Sequence, residues 1–213
     1  MADSTFSVAP PDVRIQRIIQ NVQMHVPGST DNTIQKELYN CMDEFLKESN
    51  VWQQQVSFPV LGDGTTTTYT VSVSTGLINR LIWLKNSNGD QIFNVTMHVP
   101  GVLVLSNPLS TADTWTANFA CTIVDPTDTQ NYPVLDGDGW IYDKYGNVFQ
   151  DGTIGRLMMQ PLKPWSNQQL GIYHVRRFMN GMSLARSEAA RSNLYGAQRW
   201  MFPRDYGVRR RKM

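Results

Sequence analysis

The spacing of apolar residues changes twice along this chain, and those changes limit the folds open to it. Val13, Ile15, Ile18, Ile19 and Val22 recur at near-helical spacing after Pro10, Pro11 and Asp12. That pattern predicts a short amphipathic helix ending near Pro27 and Gly28. Ile34, Leu38, Cys41, Met42 and Phe45 line one face of a second helix at residues 31–48, where Thr30 or Asp31 can accept the free N–H groups of the first turn. After Trp52 the period drops to two, predicting strands at 53–60, 67–73, 77–85, 91–99 and 115–124. In the last of these, Trp115, Ala117, Phe119, Cys121 and Ile123 share one side, with Thr116, Asn118 and Thr122 on the other, the pattern of a sheet with one covered face. The turn-forming runs 62–68 and 86–90 predict antiparallel hairpins.

Beyond the loop at 125–138 the period lengthens again. Ile141, Tyr145, Val148 and Phe149 form a helix face, and Gly152 and Gly155 permit close packing around Ile154, Leu157 and Met158. A hairpin turning at 143–147 is the competing reading, because Tyr145-Gly146-Asn147 also suits a turn. Ser166 followed by Gln169 reads as a capping box ahead of Leu170, Tyr173, His174, Phe178, Met182, Ala185 and Ala189, so a last helix should run from there and stop before Gly196. The expected fold class is α+β. A helical bundle from 1–52 and 138–198 would carry an antiparallel β-rich insert at 53–137, followed by an extended basic C-terminal tail at 199–213. Residues 21–28, Asn-Val-Gln-Met-His-Val-Pro-Gly, return at 94–101 with one difference, once at a predicted helix end and once at a predicted strand end. With no third copy, a solenoid is excluded.

Charge is distributed unevenly. Residues 171–213 hold ten Lys or Arg against two acids, whereas residues 1–170 hold nine against sixteen. A chain polarised in this way can pair its basic end with the acidic body of another copy or with an anionic partner such as DNA. Charged residues make up only 17% of the chain, below the roughly 25% of ordinary soluble domains, which is consistent with surface that is covered in an assembly.

The residue patterns that chemistry requires are missing. Cys41 and Cys121 form no CxxC pair and read as small core residues. His25, His98 and His174 fall in three different predicted elements, and none has metal-ligand spacing, although His25 and His98 could still meet in space. Asp136-Gly-Asp138-Gly opens like a calcium loop, but Trp140 and Asn147 stand where oxygen ligands belong, so a polar turn is the simpler reading. Glycine-rich phosphate loops and a nucleophile elbow are also absent. We therefore expect no catalytic residue, no cofactor and no bound metal, and no apolar run long enough to span a membrane. The C-terminus mixes rings and cations: Trp200, Phe202, Arg204 and Tyr206, then Arg209, Arg210, Arg211 and Lys212. A solvated end, docking in an acidic protein groove and direct DNA contact all fit this segment, whose last part has too few apolar residues to fold alone.

Glu37-Leu38-Tyr39-Asn40 and Asp43-Glu44-Phe45, leading to Ser49-Asn-Val-Trp52 and then strands, resemble the head-to-tail adaptor (connector) proteins of short-tailed bacteriophages. So does the run from Gly155 through Pro161 and Pro164 to Trp165, followed by Arg177-Phe178 and Ala185-Arg186 in the last helix. The resemblance covers about residues 30–60 and 150–200; the stretch from Gly62 to Pro133 does not match it. It implies a non-enzymatic virion protein, assembled in the host cytoplasm into a homo-oligomeric, dodecameric ring beneath the portal, with the tail nozzle docking below and a channel left for DNA. It further implies that the C-terminal segment reaches the portal or a neighbouring copy. Another tail-completion or nozzle component, or a DNA-binding module, is the alternative.

Overall fold

The computed structural model describes residues 13–123 and 139–192. The fold is α+β, with four helices and two small antiparallel sheets among the described residues. Helix α1 spans Val13–His25 and α2 spans Asp31–Ser49; strands β1 to β6 follow at Gln53–Val60, Thr68–Thr70, Leu77–Lys85, Val95–Val99, Val102–Leu105 and Asp113–Thr122. Helices α3, Trp140–Met158, and α4, Gln168–Ser192, complete the order.

Helices α1 and α2 bury the stripes that their sequence sets out, except for the exposed Val13, whereas in α4 His174, Phe178, Ala185 and Ala189 are buried and Leu170 and Tyr173, expected on the same face, are exposed. In α1 the buried residues are Ile15, Ile18, Ile19 and Val22. In α2 they are Ile34, Leu38, Cys41, Met42, Phe45, Leu46 and Ser49. Of the two capping candidates for α2, the structure uses Thr30, whose side chain accepts from the N–H of Thr33. Asn50 ends the helix in the left-handed region at φ 53°, a conformation that Asn tolerates.

Residues 140–158 form a helix and not the competing hairpin. Helix α3 touches α1, α2 and α4, and from Asp151 through Gly155 every residue is buried. Gly152 and Gly155 let α4 come close: a Cβ at Gly152 would stand 2.6 Å from the Phe178 ring, and one at Gly155 would stand 2.8 Å from Val175. The cap of α4 differs from the expected one. Asn167 Oδ1 accepts from the N–H of Leu170 at 3.2 Å, while Ser166 Oγ turns back to the Met158 carbonyl. Asn167 is one residue closer to the helix and so is correctly placed to reach the third N–H.

Sheet order departs from a run of hairpins. One sheet is β1-β6-β3 and the other β2-β5-β4. The glycine- and threonine-rich stretch at 62–68 links strands of different sheets and is not a hairpin; Asp63 fixes it by accepting from the N–H groups of Thr65 and Thr66 at 2.9 and 2.8 Å. The 86–90 turn does close on itself, with Asp90 N–H donating to Asn86 Oδ1 at 2.7 Å, but beyond a single bridge at Lys85 and Gln91 the chain leaves for the other sheet. Two expected strands are shorter, 68–70 and 95–99, and Val102–Leu105 is an unanticipated strand at the centre of its sheet.

Strand β6 is central and is covered on both faces toward its end, which corrects the expectation of one covered face. Asn118 and Thr122 lie on the polar side, yet they are 3% and 4% exposed: the Gln53 side chain of β1 lies against Asn118, and Thr122 Oγ1 donates to Asp43 Oδ1 of α2 at 2.7 Å. Trp52, 1% exposed, joins helix to sheet: its carbonyl accepts from the Cys121 N–H at 2.8 Å. One hydrophobic core therefore runs from α1 through α3 and α2 to β6.

The near-repeat adopts two structures. Residues 21–25 end α1, whereas 95–99 are strand β4. The two copies share the Pro-Gly turn, with Gly28 at φ 89° and Gly101 at φ 78°, values that favour glycine at the third position of a type II turn.

Gly76 and Gly89 separate packing from backbone strain. Both have positive φ, 78° and 87°, but a Cβ at Gly76 would lie 2.6 Å from the Trp52 ring and the Thr122 carbonyl, whereas nothing lies near Gly89. Gly76→Ala is expected to cost about 3 kcal/mol and Gly89→Ala about 1 kcal/mol in urea unfolding.

Candidate functional site

The eight residues that the sequence singles out for docking, Trp200, Phe202, Arg204, Tyr206, Arg209, Arg210, Arg211 and Lys212, lie outside the described residues, as do Asp136 and Asp138 of the calcium-like turn. The polar chemistry of the described residues is concentrated in three places.

The first is between α3 and α4. His174 Nδ1 lies 2.8 Å from Asp151 Oδ1, both residues being more than nine-tenths buried, and Arg177 Nε donates to Asp151 Oδ2 at 3.1 Å. Arg177 also lies over the Tyr173 ring, 5.7 Å from its centroid. The His25 ring meets His174 edge-on at 6.0 Å. His25 thus pairs with His174, while His98 is exposed on β4. One carboxylate held by an imidazole and a guanidinium satisfies its own buried charge; the hydrogen bonds formed here run between helices and join α3 to α4.

The second place is the α2–α3 contact. Arg156 donates to Glu44 and stands 3.9 Å from Glu37, while Gln160 Nε2 donates to Glu37 at 3.3 Å. Beneath it Cys41 is completely buried, and loss of solvent pushes its thiol up to about 12; burial likewise lifts Cys121 to about 11. A thiol is a weak nucleophile and metal ligand until it ionises, so the burial that makes these residues good core also makes them unreactive.

The third is a cleft of about 700 Å³ between α2 and the strands, with Tyr39, Asp43 and Lys47 on one wall and Val73, Leu77 and Pro100 on another. Its charges are already internally satisfied, since Lys47 Nζ donates to Asp43 Oδ2 at 2.6 Å and Thr122 donates to the other carboxylate oxygen. No group of three or more His, Cys, Asp or Glu side chains is arranged to hold a metal among the described residues, and no described helix is long and apolar enough to cross a membrane.

Outside these places, the feature that stands out is the surface of α4. Arg176, Arg186 and Arg191 are exposed on it, interleaved with exposed Ile172, Tyr173, Met179 and Leu184. Its single acid, Glu188, is held by Lys144 at 2.5 Å and by the Tyr145 hydroxyl at 2.9 Å. The sequence reading placed Leu170 and Tyr173 on the inward face with His174, Phe178, Ala185 and Ala189, but both are exposed; it also missed the outward Ile172, Met179 and Leu184, whose signal was that they fall off the buried stripe.

The chain matches no protein-family model and no curated protein.

Two measurements probe these assignments. Asp151→Ala is expected to lower stability by about 3 kcal/mol, because two donors lose a buried acceptor, whereas Asp143→Ala, which breaks the exposed pair with Arg14, should cost under about 1 kcal/mol. Native Cys41 and Cys121 should resist alkylation at pH 8.5 and react once urea unfolds the chain. Their raised values stabilise the folded form fully below about pH 9, and this stability is lost as pH climbs toward 11 and 12, where the unfolded chain has already released its protons. Urea midpoints should therefore fall between pH 9 and 11, and less steeply in Cys41→Ala.

Proposed function

We propose that this chain is a non-enzymatic structural protein of a short-tailed phage virion, a head-to-tail adaptor that forms a dodecameric ring between portal and tail nozzle. The observation that carries this reading is the arrangement of α4. It is the longest of the described helices, its outward surface alternates arginine with large apolar side chains, and in sequence it is followed by the basic, aromatic C-terminal residues. A surface of that composition belongs to an interface core, where aromatic, Met and Arg residues are enriched. The resemblance of residues 30–60 and 150–200 to adaptor proteins supplies the kind of assembly. The polar groups of the described residues support the same reading, since the buried carboxylate, the Arg156 cluster and the cleft all spend their hydrogen bonds on holding elements together.

In this role the protein acts by assembly. A ring closes when each copy offers two different surfaces that fit one another by rotation. The ring then seals the filled capsid, presents a platform to the nozzle and leaves a channel for DNA. The cationic run from Arg209 to Lys212 favours a second reading, a DNA-binding module. Salt-sensitive binding of duplex DNA by the isolated chain, without portal capture, would select it.

Electron microscopy of the chain mixed with its portal is the deciding experiment: a twelve-fold ring seated on the portal is expected, and absence of any complex would refute the adaptor reading. A chain ending at Arg199 should lose portal capture. Trp200→Ala, Phe202→Ala and Arg204→Ala should each weaken it by about 2 kcal/mol, while neutralising residues 209–212 should mainly slow association and reduce its salt dependence.

A further inference from the structure

Strand β1 lies at the edge of its sheet, whose order is β1-β6-β3. The Trp52 carbonyl accepts from the Cys121 N–H, and the register then runs without a shift from Gln53 opposite Ala120 to Val60 opposite Asp113. In an antiparallel ladder alternate residues turn their backbone groups to the partner strand. Residues 54, 56, 58 and 60 therefore bond to β6, while Gln53, Gln55, Ser57 and Pro59 turn their backbone groups outward. Among the described residues nothing bonds to the outward N–H groups of Gln53, Gln55 and Ser57, and the side chains of Gln55, Ser57 and Pro59 are exposed.

The other edges of the two sheets are protected in the ways that proteins use against stray pairing. Strand β3 has two register shifts, an exposed Arg80 and a Leu84 carbonyl already taken by the Ile92 N–H. Strand β4 is five residues long with a register shift, and β2 is three residues long. Strand β1 is eight residues long, has no shift and carries no charged side chain. Its one safeguard is Pro59, which removes an outward donor at the far end and leaves the stretch from Gln53 to Ser57 open.

We propose that this open edge pairs with β1 of a second copy of the chain, antiparallel about a twofold axis at Gln55, so that two three-stranded sheets join into one. With no charge on the strand to select a partner, the fit is set by backbone register, and Pro59 limits that register. An inverted copy of β1 centred on Gln55 keeps Pro59 out of the ladder. Gln53 then faces Ser57, Gln55 faces Gln55 and Ser57 faces Gln53, giving about six backbone hydrogen bonds. The facing side chains are amides and hydroxyls that can bond to one another, and no like charges meet. Centring the pair on Ser57 would set Pro59 against Gln55 and lose a bond, and centring it on Gln53 would run past the start of the strand. The strand pair is smaller than the interface of a permanent dimer, so it forms and separates with protein concentration. It is also separate from the ring contact proposed above: a twofold pair presents the same surface from both copies, whereas a ring needs two unlike surfaces. The pair is therefore a contact of free chains.

The test uses the full chain. Analytical ultracentrifugation reads the oligomeric state across protein concentration, and thermal melts check the fold. Wild type should pass from monomer to dimer as concentration rises. Gln55→Pro removes the central donor at a position where no intramolecular bond is lost, and Gln55→Lys sets a charge against itself across the axis. Each should need at least about tenfold more protein to dimerise, with a melt close to that of wild type. Register is read by copper–phenanthroline oxidation of single-cysteine variants. Gln55→Cys should link to itself, because the two residues face one another at about 5.5 Å between Cα atoms. Gln53→Cys and Ser57→Cys should not link alone and should link when mixed. Native Cys41 and Cys121 are buried and do not compete. Portal capture by Gln55→Pro should equal that of wild type. A wild type that stays monomeric at every concentration, dimers formed equally well by both Gln55 variants, or links in another register would each overturn the pairing while leaving the ring reading standing. Loss of portal capture by a folded Gln55→Pro would assign the edge to the assembly contact and overturn the proposal as well.

Discussion

The close approach of α4 to α3 is the constraint on which the rest of the molecule depends. Four glycines stand at that contact, Gly152 and Gly155 on α3 and Gly171 and Gly181 on α4; a Cβ at Gly152, Gly155 or Gly181 would meet a side chain of the opposite helix at under 3 Å, and one at Gly171 would meet Met159, just past the end of α3, at 2.9 Å. With the two backbones this near, Asp151 can reach His174 and Arg177, and a carboxylate that would be costly to bury alone becomes a bond between helices. The same approach sets the roll of α4 about its axis. Phe178 and Ala185 turn inward, and Arg176, Arg186 and Arg191 with Ile172, Met179 and Leu184 are left exposed.

Helix α2 carries this order into the β region. One side of it meets α3 through Phe45, whose ring lies 5.0 Å from those of Tyr145 and Phe149, and through the Arg156 ion pairs. The other side meets β6 through Asp43 and Thr122. Trp52 then fixes the exit of the chain into β1. The core is continuous across both kinds of element; α2 meets the strands mainly at β6, and Phe58, Tyr69, Leu103, Leu105 and Trp115 form a buried layer among the strands themselves.

Local sequence alone does not choose the secondary structure here. The five residues Asn-Val-Gln-Met-His end a helix at 21–25, and a segment differing only by Thr for Gln forms most of strand β4. What differs is the neighbourhood. Ile15, Ile18 and Ile19 have already committed the first copy to a helical stripe on α3, whereas the second meets Val102–Leu105 immediately after its turn. Propensities worth a few tenths of a kcal/mol per residue give way to burial worth far more.

The sequence by itself determined the class of the fold, the places where helix gives way to strand and back, the inward stripes of α1 and α2, and the Pro-Gly turns, because each depends on periodicity or on backbone preference within a few residues. It left open whether 140–158 was helix or hairpin, because Tyr145-Gly146-Asn147 suits a turn as well as it suits a helix face. Only the tertiary structure decided that, together with the split of the strands into two sheets, the covered second face of β6, the His25–His174 encounter and the outward surface of α4. All of these are set by contacts between residues far apart in the chain, and a local pattern carries no record of which distant surface will cover it.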